Sequence, residues 1–501
     1  MRHVRLLIAF LLLHSALLAQ TRQVSGSVKD KNGTGIPAVT IKVKGKDAQT
    51  ITDVNGAFTL QGAPAGKFTI VASSVGFAEK STEVAAGQNS ISISLDETKQ
   101  ELGEVVVTAL GISKESKKVG YAVSTVGGDQ FNKARETNLA LSLTGTVAGL
   151  NVHGTSGGPG GSARILLRGL SSTTGGSPLF VINGVPMDNT QRGSSGEWGG
   201  ADMGDGIGNL NPDDIESMTV LKGQAASALY GARASNGVIM ITTKSGKKGA
   251  LSVEYNMNLV ADRAINYTDY QYQYGQGQYG AKPATVADAQ MTSRMSWGAK
   301  LDGSQVIQFD GKTYAYSPFK DNIKNFYRTG PSFTNTVSVT KGTDAGSFRL
   351  SLSNLDNQSI VRNSGITRKT VNLNIDQKIT SKLSVSLMAN YIDQKDKNRT
   401  YLSDGPLNAN NGQFLASNID ERILAPGYDP VTGFEIEPFD DIYVTNPYFV
   451  VNQLVNNQDR KRLISAVTSR YNFTDWLYAQ GRVGYDIEND RIFSVTPWGT
   501  A

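Results

Sequence analysis

The second half of the chain alternates apolar and polar residues in segments of about ten residues. In the clearest segment the odd positions are apolar and the even positions polar: Leu251, Val253, Tyr255, Met257 and Leu259 against Ser252, Glu254, Asn256 and Asn258. The pattern recurs in FRLSLSN, VNLNID, LSVSLMANYI and LYAQGRVGYDI. Because side chains alternate between the two faces of a strand, it predicts strands with one apolar and one polar face, as in a transmembrane barrel or a soluble sandwich.

The connections between these segments favour the barrel. Long connections cover about 262–332 and 394–460, and a shorter one covers DNQSIVRNSGIT. Between them lie short turns at GTDAG (342–346), ITSK (379–382) and NFTD (472–475). Outer-membrane barrels alternate long loops at one rim with short turns at the other, whereas loops of this length are unusual inside a compact sandwich.

Roughly seven such strands precede Ala501. Seven strands ending in lipid would leave an edge of unpaired backbone groups, each of which costs several kcal/mol there. We therefore expect the chain to be the front part of a longer protein.

The first 19 residues have the pattern of an export signal. Arg2 and Arg5 precede an apolar core, and small Ala19 precedes polar Gln20. A membrane anchor is the alternative, but roughly a dozen apolar residues fall short of the ~20 that span a bilayer. We expect no other membrane-spanning helix, because no later apolar run is long enough.

Residues 22–97 predict a small β-sandwich. VSGSVKDKNGTGIPAVTIKVKG alternates apolar and polar positions around a turn at Lys31-Asn32-Gly33, and several short strands follow at close spacing. Asp53 and Asn55 could begin a calcium loop or stabilise a turn. A calcium loop needs further carboxylates and a distal Glu, so we interpret the segment as a turn.

Residues 115–246 predict one compact α/β domain. The segment 139–152 has helical spacing, and ARILLRGL, SPLFVINGVPMD, ESMTVLKG and NGVIMITTKSG predict strands, the second turning at Asn183-Gly184. Asn211–Asp214 predicts a capped helix start with Pro at its first position, and QAASALYG predicts a short helix closed by Gly231.

Residues able to perform catalysis are sparse. The sequence has no cysteine, and of its three histidines only His153 lies outside the predicted signal, which disfavours thiol, zinc and histidine chemistry. Gly154–Gly158 matches G-x-S-x-G, but no helix pattern follows it. Gly275–Gly280 matches G-x-G-x-x-G without a strand before it or a packing helix after it. A net charge of +5 without a basic cluster does not indicate nucleic-acid binding.

The order of these segments resembles the SusC/RagA-type TonB-linked outer-membrane proteins. The sequences that carry the resemblance are ELGEVVVTALGISKESK, LLRGLSS, PLFVINGVPMD and LNPDDIESMTVLKGQAASALYGARASNGVIMITTKSGK. The sandwich is similar to the carboxypeptidase-regulatory-like domain through Gly26-x-Val28-x-Asp30, Gly35-x-Pro37 and Thr52-Asp53-x-x-Gly56-x-Phe58.

The resemblance implies a multidomain protein with five parts in chain order. They are a signal peptide (1–19), the carboxypeptidase-regulatory-like β-sandwich (22–97), a TonB-box linker (98–114), an α/β plug domain (115–246) and the first part of a transmembrane antiparallel β-barrel (250–501). The implied barrel has about 22 strands and is incomplete in this chain.

The resemblance also implies an importer and no enzyme, without a cofactor or metal. Family members carry oligosaccharides or peptides across the outer membrane of Gram-negative, Bacteroidota-like bacteria. A SusD-like lipoprotein captures the substrate, and the TonB–ExbB–ExbD complex of the inner membrane pulls on the TonB box. The sandwich and this box then lie in the periplasm. The alternatives are a TonB-linked receptor mainly for signalling or binding, a secreted enzyme, and a passive structural or adhesive barrel.

The segment that matches the TonB box is EVVVTAL: Glu104, Val105, Val106, Val107, Thr108, Ala109 and Leu110. Its β-branched residues favour an extended chain, which can add as a strand to the sheet of another protein. Glycine and a lysine-rich tail follow, with no evident turn and partner strand. The alternative is a last strand of the sandwich, which ends at SISISLDE.

Three arginines of the implied plug, Arg164, Arg168 and Arg233, are candidates for contacts with the barrel wall. For Arg164 and Arg168 the alternative is that they flank a strand and face solvent. The glycine-rich runs GTSGGPGGSARI and RGSSGEWGGADMGDGIGN predict loops on the plug surface.

Overall fold

The computed structural model describes residues 21–500 apart from positions 47, 75–76, 97–104, 109–111, 116–122, 134–135, 170–175, 194–195, 197–198, 223–227, 229 and 404–406. The chain folds into two compact units, one that ends at Val105 and one that begins at Val106. The predicted signal and most of QAASALYG lie outside the described residues.

The first unit is the predicted β-sandwich. Its strands are β1 (Thr21–Lys29), β2 (Thr40–Val43), β3 (Gln49–Ile51), β4 (Ala57–Pro64), β5 (Phe68–Ser73), β6 (Lys80–Val84) and β7 (Ser90–Ser94). They form sheets of order β4-β1-β7 and β3-β2-β5-β6 around one apolar core. The alternation of the sequence produces this core, because every second residue of β7 is buried, as are Phe58 and Leu60 of β4. Asp53 Oδ1 accepts hydrogen bonds from Asn55 N and Ala57 N, as the predicted turn requires.

A two-stranded sheet begins at the division between the units. Its strands are β8 (Val105–Thr108) and β9 (Ile112–Glu115). The sequence indicated no partner strand after the valine-rich segment, and this expectation is wrong. The segment ISKE pairs with the valine-rich strand despite its polar composition.

The α/β domain, residues 123–243, contains a five-stranded sheet of order β10-β15-β16-β13-β14 and a separate hairpin of β11 and β12. The strands are β10 (Val123–Gly127), β11 (Leu150–Gly154), β12 (Ala163–Leu167), β13 (Leu179–Ile182), β14 (Val185–Met187), β15 (Ile215–Leu221) and β16 (Val238–Thr243). Helix α1 covers Gly128–Lys133, and single 3₁₀ turns cover Leu139–Leu143, Ile207–Asn209, Pro212–Asp214 and Ala232–Ala234.

Two predicted helices of this domain are shorter than the sequence indicated. Of residues 139–152 only Leu139–Leu143 are helical, because Gly145 and Gly149 adopt φ of 72° and 76° and end the helix before β11. Asn211 caps Asp213 N as predicted, but one 3₁₀ turn leads directly into β15. The turn at Asn183-Gly184 is confirmed, with both residues at positive φ.

The barrel wall is a sheet of seven antiparallel strands in chain order. Its strands are β17 (Gly249–Asp262), β20 (Gly330–Gly342), β21 (Gly346–Gln358), β22 (Gly365–Lys378), β23 (Leu383–Lys397), β24 (Val455–Asn472) and β25 (Tyr478–Val495). The apolar residues of β17 are exposed as predicted, Leu251 at 60% and Met257 at 58%. No helix in the described part of the chain is long and apolar enough to cross a membrane.

The two long connections of the wall, residues 263–329 and 398–454, pack into one body that we call the long-loop lobe. It contains β18 (Gln305–Ile307), β19 (Thr313–Ala315), helices α2 (Val286–Met291), α3 (Asn322–Phe326) and α4 (Pro447–Gln453), and 3₁₀ turns Ala409–Phe414 and Glu421–Leu424. Phe326, Leu424 and Tyr448 are part of its apolar core.

Candidate functional site

The inner face of the barrel wall contacts the α/β domain partly through apolar residues. Met388, Ile392, Ile464 and Ala466 of β23 and β24 are buried in the same core as the α/β domain. The alternating sequence predicted a polar inner face, which is only partly right. This part of the wall faces a protein core instead of a water-filled pore.

The loop 202–210 of the α/β domain begins with a buried carboxylate, Asp202. It accepts hydrogen bonds from Ser162 N at 2.6 Å, Ser162 Oγ at 2.5 Å and the Thr155 hydroxyl. Burial raises the pKa of Asp202, but these hydrogen bonds outweigh burial and leave the pKa below its ordinary value. Asp202 therefore fastens its loop to the hairpin of β11 and β12 as an ionised group.

A second carboxylate of this loop, Asp205, accepts from Ala163 N at 2.9 Å, Gly208 N at 3.0 Å and Asn138 Nδ2 at 2.9 Å. Burial raises the pKa of Asp205 despite these bonds. The glycine-rich run that contains both carboxylates was predicted as a surface loop. It does lie at the surface of the α/β domain, but residues 202–210 are buried.

Two fully buried arginines of β24 hold the main chain of this loop against the wall. Arg460 Nη2 donates to Met203 O at 3.0 Å and Arg460 Nη1 to Asp205 O at 3.4 Å. Arg462 Nη1 donates to Gly206 O at 3.2 Å. On the side of the loop both cations meet main-chain acceptors, so this contact depends on the shape of the loop more than on its side chains.

Carboxylates of the neighbouring strand β25 orient both arginines. Arg462 Nε donates to Asp486 Oδ1 at 2.9 Å, and Arg460 Nη2 donates to Asp490 Oδ2 at 3.0 Å. Arg462 Nη2 also donates to Asp188 O at 2.6 Å, a second segment of the α/β domain. Paired acids compensate the buried cations, since an unpaired buried charge is strongly unfavourable.

A second set of contacts joins the start of β15 to strands β17, β20 and β21. Arg349 and Asp214 form a buried ion pair at 2.7 Å. Asp213 accepts from Thr336 Oγ1 at 2.6 Å and from Asn256 Nδ2 at 3.0 Å. The acids that follow Asn211 thus serve as acceptors for the wall.

The three arginines selected from the sequence are not those in these contacts. Arg164, Arg168 and Arg233 are exposed, and among the described residues none of their side chains has a hydrogen bond or ion pair with the wall. Their role in wall contacts stays a prediction. A sequence signal for Arg460 and Arg462 did exist. They are two residues apart on the inward face of β24, and their partners across the register, Asp490 and Glu488, are two residues apart on β25.

The segment that matches the TonB box lies only partly within the described residues. Val105–Thr108 forms β8, which pairs with β9. Glu104, Ala109 and Leu110 lie outside the residues that the structure describes. Its strand propensity is therefore expressed in the fold. Its role as a TonB box stays a prediction.

The long-loop lobe carries an open groove of about 1000 Å³ lined by aromatic and amide side chains. Trp297 is 78% exposed and Phe414 50% exposed at its surface. Lys320 Nζ lies 5.1 Å from the centre of the Tyr272 ring. Burial raises the pKa of Tyr272. The run Gly275–Gly280 supports this groove structurally, because Gln276 N donates to Asn418 at 2.5 Å and joins the two loops.

Comparison with known proteins gives this arrangement a family. Residues 115–238 match the TonB-dependent receptor plug domain, and residues 24–107 match the CarboxypepD_reg-like domain. The solved RagAB peptide importer in its closed-closed state has the same fold, with a TM-score of 0.54 and 21% identity over 75% of this chain and 42% of that chain. The TonB-dependent receptor SusC of Bacteroides thetaiotaomicron is 35% identical over 372 residues, 74% of this chain and 33% of that protein. The chain belongs to the SusC/RagA-type TonB-dependent receptors.

The α/β domain is accordingly the plug of this receptor. The TonB-dependent receptor P26 of Formosa agariphila is 28% identical over 435 residues. This match covers 84% of the chain described above and 40% of P26. Four curated relatives match the chain over most of its length. The chain covers between 31% and 44% of the length of these relatives, which is less than half.

Proposed function

We propose that the receptor imports oligomeric nutrients, oligosaccharides or peptides, across the outer membrane. A SusD-like lipoprotein assists it, and the TonB–ExbB–ExbD complex supplies energy from the proton-motive force. The observation that carries this proposal is the docked plug. Buried arginines of the wall hold the main chain of the plug, so opening a passage requires energy. Residues 1–501 contain no phosphate-binding loop motif. We therefore assign the supply of this energy to a partner.

The place of β8 supports the role of Glu104–Leu110 as the TonB box. A strand-forming segment that precedes the plug can add to the sheet of a partner protein and transmit a pull to the plug. Because β8 pairs with β9, the partner must first displace this short strand. The segment boundaries expected from the sequence (1–19, 22–97, 98–114, 115–246 and 250–501) remain our assignment.

We orient the receptor with the sandwich and the TonB box in the periplasm and the long-loop lobe outside. In this orientation the aromatic groove of the lobe faces arriving nutrients. Exposed aromatic faces such as Trp297 stack on sugar rings or on apolar peptide side chains, and Gln413 at the groove wall offers hydrogen bonds.

Deletion of residues 104–110 from the full-length receptor tests the proposal. We expect uptake to be lost and nutrient binding at the cell surface to be retained. Receptor abundance in the outer membrane serves as the control. Unchanged uptake contradicts TonB coupling, and wild-type cells that bind the nutrient without accumulating it favour a receptor for signalling or binding.

A further inference from the structure

On strands β21–β25 the outward face of the barrel wall changes from apolar to charged between two successive rows of side chains. On β17 and β20 the same rows keep the exposed apolar residues Met257, Leu259 and Phe333. One row, in register across β21–β25, is apolar: Leu352, Val371, Tyr391, Leu463 and Ile487. The next outward row towards the long loops is Asn354, Lys369, Asp393, Lys461 and Asn489, and the one after it is Asp356, Thr367, Lys395, Asp459 and Arg491. On β21–β25 this change is the sequence pattern expected where the edge of the hydrocarbon layer meets the wall.

The charged rows contain more cations than anions. Five exposed cationic side chains lie on four adjacent strands, four of them in these rows and Lys397 in the next: Lys369, Lys395, Lys397, Lys461 and Arg491. Two carboxylates, Asp393 and Asp459, lie between cations, and a third, Asp356, lies beside the patch on β21. Within the described residues no ion pair joins any of these eight side chains, so the cationic groups keep their donors available for a ligand. We call these five cations the rim patch.

The spacing of the rim patch suits phosphates that are held apart. Lys369 and Lys461 lie on either side of Asp393, and Lys395 and Arg491 lie on either side of Asp459. Each pair of cations is separated by two strand spacings, about 10 Å. The intervening carboxylate disfavours a single phosphate between the cations, whereas phosphates at the two ends of a sugar unit can meet one cation each.

An open recess of about 800 Å³ lies at the same rim, lined among others by Lys395, Lys397, Arg491 and Phe493. Phe493 is 59% exposed and gives the recess an apolar edge. The volume is within the range of sites that hold small molecules, roughly 300–1,000 Å³. Because the patch borders the apolar band directly, a lipid headgroup reaches it while its acyl chains stay in the bilayer.

We propose that the rim patch binds the phosphorylated sugar headgroup of a glycolipid in the outer leaflet. This inference rests on the proposed orientation, in which the long loops face outward. The lysine stems lie along the apolar rows and the ammonium groups reach the phosphates. The bound lipid then seals the receptor to its membrane at the rim that carries the lobe.

The test uses the purified full-length receptor in detergent and native mass spectrometry. The probes are lipid A, chemically dephosphorylated lipid A, phosphatidylglycerol and inorganic phosphate. The variant replaces Lys395, Lys461 and Arg491 with Gln. Its matched control replaces Lys341, Lys378 and Lys382, which are exposed at the opposite, short-turn rim. Three charges near a headgroup correspond to roughly a hundredfold weaker lipid A binding in the variant.

Loss of lipid A binding in the rim variant, with the control unchanged and dephosphorylated lipid A unbound by the wild type, supports the site. Equal loss in the control, or equal binding of the dephosphorylated form, overturns it. Phosphatidylglycerol or inorganic phosphate bound as tightly as lipid A overturns the glycolipid assignment. These outcomes are independent of transport, because a receptor that fails to import nutrients still gives this binding measurement.

Discussion

The buried Arg462 of β24 offers the sharpest test of how the wall holds the plug. We propose Arg462→Met, which keeps a long side chain but removes every donor. The change breaks the hydrogen bonds to Gly206 O and Asp188 O and leaves Asp486 without its cation. Asp486 keeps one bond from Asp188 N at 2.9 Å, so the plug is weakened at this point without losing every contact there.

The size of the effect follows from these two contacts. A hydrogen bond from a charged donor contributes about 1.5–3 kcal/mol when its partner stays buried. Two such bonds, reduced by adjustment of the loop, give about 3 kcal/mol for docking of the plug. We therefore expect the equilibrium for undocking of loop 202–210 to rise roughly a hundredfold.

An introduced cysteine can measure this equilibrium because residues 1–501 contain none, and the full-length receptor without the introduced cysteine gives the background labelling. Met203, 4% exposed in the loop, is replaced by Cys in the full-length receptor, and the rate of maleimide labelling is compared between variants. Arg470→Met is the control, because Arg470 lies on the same strand and its side-chain hydrogen bond goes to Asn472 within the wall. Labelling in Arg462→Met within threefold of the control refutes the proposed clamp.

Three further changes test other parts of the structure. Gly204→Ala should raise Met203→Cys labelling more than Gly145→Ala does. Both glycines have positive φ, which costs Ala roughly 1–2 kcal/mol. Of the two, only Gly204 would place an added Cβ against the plug, 2.6 Å from the carbonyl oxygen of Gly160. Equal labelling of the two variants argues against this steric effect. Trp297→Ala should weaken nutrient binding about tenfold and leave folding intact. Its control is Trp476→Ala at a short turn, where the tryptophan is equally exposed, and this change should leave binding unchanged. Equal binding by both variants argues against the groove as the nutrient site. Burial raises the pKa of Glu421, which accepts a hydrogen bond from Tyr448 at 2.6 Å. The lobe should therefore lose stability as pH rises through that raised pKa. Glu421→Gln should flatten this part of the Tm–pH curve, whereas Glu437→Gln, a change at an exposed residue of the same lobe, should not. A curve that Glu421→Gln leaves unchanged contradicts this reasoning.

The sequence by itself determined the strands of the barrel wall and the two faces of each. A period of two fixes which side chains share a face, whatever the neighbouring strand is. It also determined the order of long and short connections and the turn at Asn183-Gly184, because these depend on a few adjacent residues. The apolar alternation of β1–β7 likewise sufficed to predict a sandwich.

Only the tertiary structure decided which residues join the plug to the wall. Arg460 and Met203 are separated by more than 250 positions, and no local pattern relates a cation to a main-chain carbonyl at that distance. Arg164, Arg168 and Arg233 have the same chemistry as Arg460, but their positions on the plug leave them exposed. The fold also decided that loop 202–210 is buried, because burial depends on what packs against a segment and not on its glycine content.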